Sequence, residues 1–276
     1  MSKPNMAQAA KSSQGSSKNN EWFAPAVIVG SLVLSILVFK FAMGASGNFE
    51  GGDPEKGHPH NTLGLIYKGG IIVPLLLTCL LCVIVFSVER LLTLNRAEGN
   101  GSVADFIKRI QSNLMGNNVA AAIAECDKQK GSVANVVRSG LVKYQEMMGN
   151  TEMEKDQKIG AIQQEIEETT ALEMPMLERN MPILSTIASV GTLIALLGTV
   201  LGMIKAFSAM ANSGAPDAVA LSTGISEALI NTALGIGTSA LAIIMYNFFT
   251  SKIDGLSYRI DEASFSMSQT FATHNK

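Results

Sequence analysis

One carboxyl group and several hydroxyl groups inside long apolar runs are the residues of this sequence best suited to chemistry. Residues 218–251 contain a single charged side chain, Glu227. An ionised side chain at the centre of a membrane costs at least about 2.5–3.5 kcal/mol, so such residues usually face a bundle interior or a water-filled cavity. As an ionised group or as a neutral hydrogen-bonding acid, Glu227 is a functional-site candidate. The alternative is a position near the outward-facing membrane interface, close to Asp217.

Hydroxyl and amide side chains occur at helical spacing around this carboxyl group. In the run 183–204 the hydroxyl residues that recur every seven positions are Ser185, Thr192 and Thr199. In the next run the residues that share a polar stripe with Glu227 are Thr223, Asn231 and Thr238. For any single hydroxyl, a bond to the backbone carbonyl one turn earlier is the simpler interpretation. The following residues are therefore candidates either for a pore wall or for helix packing: Ser185, Thr192, Asn231, Thr238 and Ser239.

Small residues form a ridge on each of the same two runs. The first ridge consists of Gly191, Ala195, Gly198 and Gly202, and the second of Ala228, Thr232, Gly235, Ser239 and Ala242. Ridges of small residues let helices approach closely in lipid. We therefore expect Gly191, Gly198, Gly202 and Gly235 to be close-packing positions.

The elements that position these residues are membrane helices. Hydrophobic residues make up 47% of the 276 residues and charged residues only 16%, which disfavours a single soluble globule because such domains average about 25% charged residues. Four apolar runs approach or exceed the roughly 20 residues that cross a bilayer. The predicted spans are 24–44, 69–94, 182–211 and 218–260. The predicted segments between and beyond them are a disordered tail 1–23, loop 45–68, a helical segment 95–181, turn 212–217 and a tail 261–276.

The distribution of lysine and arginine predicts the orientation of the spans. Positive residues belong on the cytoplasmic side, and they concentrate in the N-terminal tail and beside segment 95–181, which holds 23 of the 44 charged residues. Loop 45–68 and turn 212–217 are acidic or uncharged and should face outward, with both termini inside. An alternative interpretation makes the first span a cleaved signal peptide, which leaves the orientation of the other spans unchanged.

The sequence offers little support for an enzyme or for nucleic-acid binding. It contains no phosphate-binding glycine loop, nucleophile elbow or zinc-ligand spacing, and no cofactor is implied. The pair Cys79 and Cys82 lies inside the second span, where packing is a better interpretation than redox chemistry. His58 and His60 lack a carboxylate frame for a metal. A net charge of -2 argues against a nucleic-acid partner.

A resemblance to a known family lies in three segments: GTLIALLGTVLGMIKAF at 191–207, GISEALINTA at 224–233 and the closing pair Tyr246-Asn247. These segments resemble the ExbB/TolQ branch of the MotA/TolQ/ExbB proton-channel family. The resemblance covers roughly residues 67–260 and leaves out the first span. It implies an all-α polytopic protein of the bacterial inner membrane, with a three-span core, one extra N-terminal span and a helical cytoplasmic segment.

The resemblance also implies a function and partners. Members of this family form a homo-oligomeric ring, usually of five copies, around the single membrane helices of a two-copy partner resembling ExbD or TolR. Protons from the periplasm pass along a membrane aspartate of that partner and energise outer-membrane transport through a TonB-like protein, or envelope maintenance through a TolA-like one. By correspondence of motif, the pore threonines of the family fall on Thr199 and Thr232, and its membrane glutamate falls on Glu227. On an ideal helix Glu227 and Thr232 lie about 140° apart, so they cannot line one narrow face together.

Two departures from the family pattern limit what the resemblance implies. The last span has Ala240-Leu241-Ala242 where the family often has a proline, which predicts a straighter helix. The extra first span has no assigned role. The long soluble insertion of flagellar MotA stators is not evident, which favours the ExbB/TolQ side. A TolQ-like role in envelope maintenance and a non-conducting structural scaffold remain the alternatives.

Overall fold

The structure is a computed structural model that describes residues 22–54, 57–212 and 218–274. The predicted N-terminal tail and most of the predicted turn 212–217 lie outside these residues. Within them the chain forms α-helices, joined by short turns, and an isolated bridge between Phe49 and Pro59 is the sole β pairing. The helices are α1 (Phe23–Leu37), α2 (Thr62–Tyr67), α3 (Ile72–Glu98), α4 (Val103–Met115), α5 (Val119–Gln129), α6 (Gly131–Gly149), α7 (Lys155–Glu178), α8 (Met181–Asn212) and α9 (Ala218–His274).

Four helical segments of the described chain are long and apolar enough to cross a membrane. They involve α1 with the π-helical turn Val38–Met43 that continues it, α3, α8 and α9. The prediction of an all-α protein with four membrane spans is thereby confirmed. Long apolar helices are forced by the bilayer, because each backbone polar group in lipid must be satisfied within its own segment.

The chain divides into two compact units. The first, called here the membrane unit, contains the described residues up to Ser87 together with residues 183–245. In it α1 packs against α3 through a hydroxyl pair, with 2.8 Å between Ser35 Oγ and Thr78 Oγ1. The Ser35 and Thr78 hydroxyl oxygens also lie 2.8 and 2.7 Å from the Leu32 and Pro74 carbonyls of their own helices. Since each hydroxyl has one proton, one of them donates to its carbonyl and the other donates across the pair.

The connection between α1 and α2 is fixed by one buried amide. Asn48 Nδ2 donates to the carbonyls of Ala42 and Met43 at 2.7 and 2.9 Å, and Asn48 Oδ1 accepts from Asn61 at 2.9 Å. The last carbonyls of a helix have no partner within the helix, so Asn48 satisfies two acceptors at the end of the first span. Asn61 in turn caps α2 by accepting from the Gly64 amide.

The second unit contains residues 88–182 and those from 246 onward. Ser102 accepts a hydrogen bond from the Asp105 amide and so caps α4. Tyr144 of α6 stacks edge-on against Phe271 of α9 at 4.9 Å between ring centres, and both are fully buried. Because α9 contributes apolar residues to this core, it stays helical to His274, well past the predicted end at residue 260.

A buried arginine joins two elements of the second unit. Arg90 is 1% exposed and forms an ion pair with Glu89, while its guanidinium also donates to the carbonyls of Met176 and Leu177 at 3.3 and 2.9 Å. Glu89 accepts a further bond from Asn180 at 3.0 Å. Asn180 adopts a φ of +46° and separates α7 from α8, so the two helices are not continuous.

Candidate functional site

The two helices that carry the candidate residues, α8 and α9, pack so closely that the glycines at their contact have no room for a side chain. A Cβ at Gly191 would lie 2.7 Å from Ser239 Oγ, and one at Gly202 would lie 2.9 Å from the Ala228 amide nitrogen. A Cβ at Gly235 would overlap that of Ala195. The two ridges of small residues therefore face each other, and this contact determines which side chains of each helix remain outside it.

Thr199 of α8 and Thr232 of α9 meet across this contact. Their hydroxyl oxygens are 2.5 Å apart, and both hydroxyls lie beside the carbonyl of Ala228, Thr232 at 3.0 Å and Thr199 at 3.4 Å. Thr199 also reaches the Ala195 carbonyl, 3.1 Å away. Both residues are half-buried. The pair thus presents two oriented hydroxyls at the edge of the α8–α9 contact, where a group from outside the chain can reach them.

Glu227 lies on a different side of α9 from Thr232 and has its own surroundings. Its Oε2 accepts from Lys205 Nζ of α8 at 2.9 Å, and its Oε1 lies against Gly70, where a Cβ would overlap the carboxyl group. Gly70 has a φ of +75°, which a residue with a side chain rarely adopts. Glu227 is 12% exposed and Lys205 is 67% exposed. The carboxyl group is thus enclosed by backbone on one side and paired with a cation on the other.

Asn231, one turn along from Glu227, is completely buried against the same corner of the chain. Its Nδ2 donates to the Gly69 carbonyl at 3.0 Å. A Cβ at Gly198 would lie 2.8 Å from Asn231 Cβ, so this glycine makes the space for the amide. Asn231 Oδ1 is buried and has no hydrogen-bond partner among the residues that the structure describes. Glu227 and Asn231 together therefore fasten α9 to the Gly69-Gly70 corner that precedes α3.

The remaining candidates divide into exposed and buried groups. Ser185 and Thr192 are exposed in the single chain and do not join the Thr199 pair. Thr238 is buried and donates to the Leu234 carbonyl one turn earlier. This is the bond that the simpler interpretation of a single hydroxyl predicts. Ser239 Oγ is buried against Gly191, and no residue in the described part of the chain forms a hydrogen bond with it. The polar stripe of α9 therefore packs mainly within the chain.

Sequence reasoning missed Lys205, Gly69 and Gly70 as neighbours of Glu227 and Asn231. A signal for the corner exists, since a Gly-Gly pair between Lys68 and an apolar run is typical of a turn. No local pattern reveals the ion pair, because Lys205 and Glu227 lie on different helices. Among the described residues no cluster of three histidine, cysteine or carboxylate side chains is arranged to hold a metal ion.

These features define a helical membrane protein in which hydroxyl groups of two closely packed spans meet across the helix contact. Residues 128–262 match the model of the MotA/TolQ/ExbB proton channel family. This match and the relatives described next make the chain similar to the ExbB/TolQ branch of that family.

The chain is similar to relatives of both ExbB and TolQ type. It is 32% identical over 88 residues to a putative biopolymer transport protein, ExbB-like 3, of Synechocystis, a match covering 31% of this chain and 42% of the relative. It is 26% identical over 141 residues to ExbB of Pseudomonas putida, a match covering 51% of this chain and 43% of the relative. It is 24% identical over 124 residues to TolQ of Pseudomonas aeruginosa, a match covering 45% of this chain and 54% of the relative. The chain thus spans about half the length of the curated relatives it matches. The relatives and the four apolar helices together indicate a multi-pass protein of the inner membrane.

Proposed function

We propose that this protein is the stator subunit of a proton channel that uses the proton-motive force to energise transport across the outer membrane, as in TonB-type systems. The observation that carries the proposal is the Thr199–Thr232 hydroxyl pair, half-buried on the closely packed α8–α9 contact. Hydroxyls in lipid usually bond within their own helix. Thr199 and Thr232 also reach carbonyls of their own helices, but they meet across the helix contact and stay partly accessible, so that a group passing along a pore wall can exchange hydrogen bonds with them.

The proposal includes a ring of copies, with five expected from the family, around two copies of an ExbD- or TolR-like single-span protein. Large apolar side chains of α8 are exposed in the single chain, among them Leu193, Leu196, Leu197 and Leu201. Lipid or neighbouring subunits must cover them. In a ring, Thr199 and Thr232 face the membrane aspartate of the partner, and both termini of the chain are cytoplasmic.

In this proposal Glu227 has a different task from the threonines. Because it is paired with Lys205 and enclosed by Gly70, it does not line the same face as Thr232. It sets the charge at one end of the proton path, next to the α8–α9 contact. Glu227→Gln keeps the size of the side chain and removes this charge, so we expect loss of coupled work with ring assembly retained.

A TolQ-like role in envelope maintenance, with a TolA-like protein in place of a TonB-like one, is the second candidate. The matches to both ExbB and TolQ support it. The two roles differ in the partner that the complex drives, so purification of the chain from its native membrane, with identification of the large periplasm-spanning protein retained, distinguishes them.

Co-purification and proton uptake test the common part of both roles. A tagged chain should retain a small single-span protein with an aspartate in its membrane segment. Liposomes that hold both proteins should take up protons when a potassium diffusion potential is imposed, and liposomes with this chain alone should not. Assembly without proton uptake would instead support a non-conducting scaffold.

A further inference from the structure

The extra N-terminal span forms one wall of an apolar groove in the membrane unit. The groove has a volume of about 680 Å³ and lies between α1 with its π-helical turn and the beginning of α3. Four aliphatic side chains along it are Leu32 and Ile36 from α1, Ile71 just before α3, and Leu75 in the first turn of α3. Ligand sites commonly have volumes of about 300–1,000 Å³. The groove therefore has the size and lining of a binding site for a hydrocarbon chain.

One end of the groove is polar and rigid. Lys40, on the π-helical turn, lines the groove together with Tyr67, and Tyr67 is held by Phe39 and Phe49 at 4.6 and 5.6 Å between ring centres. Lys40 makes no ion pair with any side chain that the structure describes. Tyrosine is typical of the interface between acyl chains and head groups, and a lysine near a span end extends its amine to the same level.

Gly44 has a specific part in shaping this end. A Cβ at this position would lie 2.7 Å from both the Lys40 carbonyl and a ring carbon of Tyr67. The π-helical turn, Gly44 and Tyr67 thus fit together, and Asn48 fixes the turn by bonding the carbonyls of Ala42 and Met43. π-helical turns inside membrane helices are rare and are often found at functional sites.

We propose that this groove binds an anionic glycerophospholipid, with its phosphate at Lys40 and one acyl chain along Leu32, Ile36, Ile71 and Leu75. Charge complementarity identifies the occupant. The groove has a single cation at one end and hydrocarbon along the rest, and a phospholipid has a single phosphate above its acyl chains. From Leu32 to Lys40 the helix rises about 12 Å, which matches an acyl chain that runs along the groove from a head group at the interface. The site gives the extra span a function that does not depend on proton conduction.

Native mass spectrometry of the purified full chain tests this proposal. The delipidated protein is mixed with equal amounts of phosphatidylglycerol and phosphatidylethanolamine, and the lipids that stay bound are counted per subunit. One lysine at a membrane surface contributes about a five-fold preference for anionic lipid. We expect a preference of this size in the unaltered chain, its loss in Lys40→Gln and its retention in Lys40→Arg.

Two further variants make the result specific to the groove. Lys68→Gln removes a neighbouring lysine that faces the Phe49 ring at 5.6 Å and does not line the groove, so it should leave the preference unchanged. Leu32→Trp should fill the groove and reduce retention of both lipids. Equal preference in Lys40→Gln and the unaltered chain, or undiminished retention in Leu32→Trp, would overturn the proposal. So would failure of the unaltered chain to retain any lipid, since a neighbouring subunit would then cover the groove.

Discussion

The closest contact between α8 and α9 predicts that replacing two neighbouring glycines by alanine has opposite effects on the stability of the protein. Gly235 lies against Ala195 and the Gly191 carbonyl, whereas a Cβ at Gly237 has nothing within 4 Å. In Gly235→Ala the new Cβ would lie 2.8 Å from the Gly191 carbonyl oxygen, where ordinary contact begins at 3.4 Å. The helices must therefore separate by at least 0.6 Å (3.4 minus 2.8) at this point, and further at Ala195.

The expected free energies follow from two opposing effects. Either Gly→Ala change favours the helix by up to about 1 kcal/mol. Overpacking a tight contact costs about 1–3 kcal/mol or more. We expect Gly237→Ala to be neutral or stabilising and Gly235→Ala to be destabilising. The gain in helix propensity is common to both, so the difference between the two variants is the overpacking cost of about 1–3 kcal/mol.

Unfolding of the purified protein in mixed micelles, with increasing dodecyl sulfate and circular dichroism as the signal, measures this difference. A compensating variant, Ala195→Gly with Gly235→Ala, removes the clashing methyl group and should recover part of the loss. Equal unfolding midpoints for Gly235→Ala and Gly237→Ala would refute the packing described here.

Three other predictions concern separate parts of the chain. The free energy of unfolding of the double variant Lys205→Glu with Glu227→Lys should exceed the value expected from the sum of the two single changes. The excess should be only about 0.2–1 kcal/mol, because Lys205 is largely exposed. Additive effects of the two changes in the same micelles would contradict the ion pair. Arg90→Met should destabilise by about 3–5 kcal/mol because it leaves Glu89 without its cation, and a loss below about 1 kcal/mol in thermal unfolding would argue against the buried network. Burial raises the pKa of the Cys126 thiol to about 12, and since the thiolate is the reactive form, iodoacetamide at pH 8 should label Cys126 only after unfolding. Peptide mass spectrometry reads that labelling, and rapid labelling of the folded protein would contradict the burial.

The spans and the ridges of small residues were predictable because the bilayer restricts the chain to helices with a strong and simple pattern. The helix period alone brings Gly191 and Gly198 onto one face. Caps were also readable, as at Ser102, since a cap depends on residues three positions apart.

Features that depend on contacts between distant segments were not predictable. Asn231 was grouped with Glu227 on one stripe, but its bond to the Gly69 carbonyl depends on where α3 begins. The bounds of α5 inside the predicted helical segment 95–181 were not predictable, because its short, alanine-rich run has a weak apolar pattern. The extension of α9 to His274 depends on its packing in the second unit.

Proton uptake by liposomes that contain this chain and its single-span partner tests the central claim most directly, with two matched variants. Thr199→Val removes one hydroxyl of the α8–α9 pair, and Thr78→Val removes one hydroxyl of the similar pair with Ser35 on α1. Each change removes one interhelical hydrogen bond, worth about 0.6 kcal/mol in a membrane, so both proteins should assemble. The account predicts that Thr199→Val abolishes potential-driven proton uptake while Thr78→Val retains it. Equal uptake by the two variants would contradict the account.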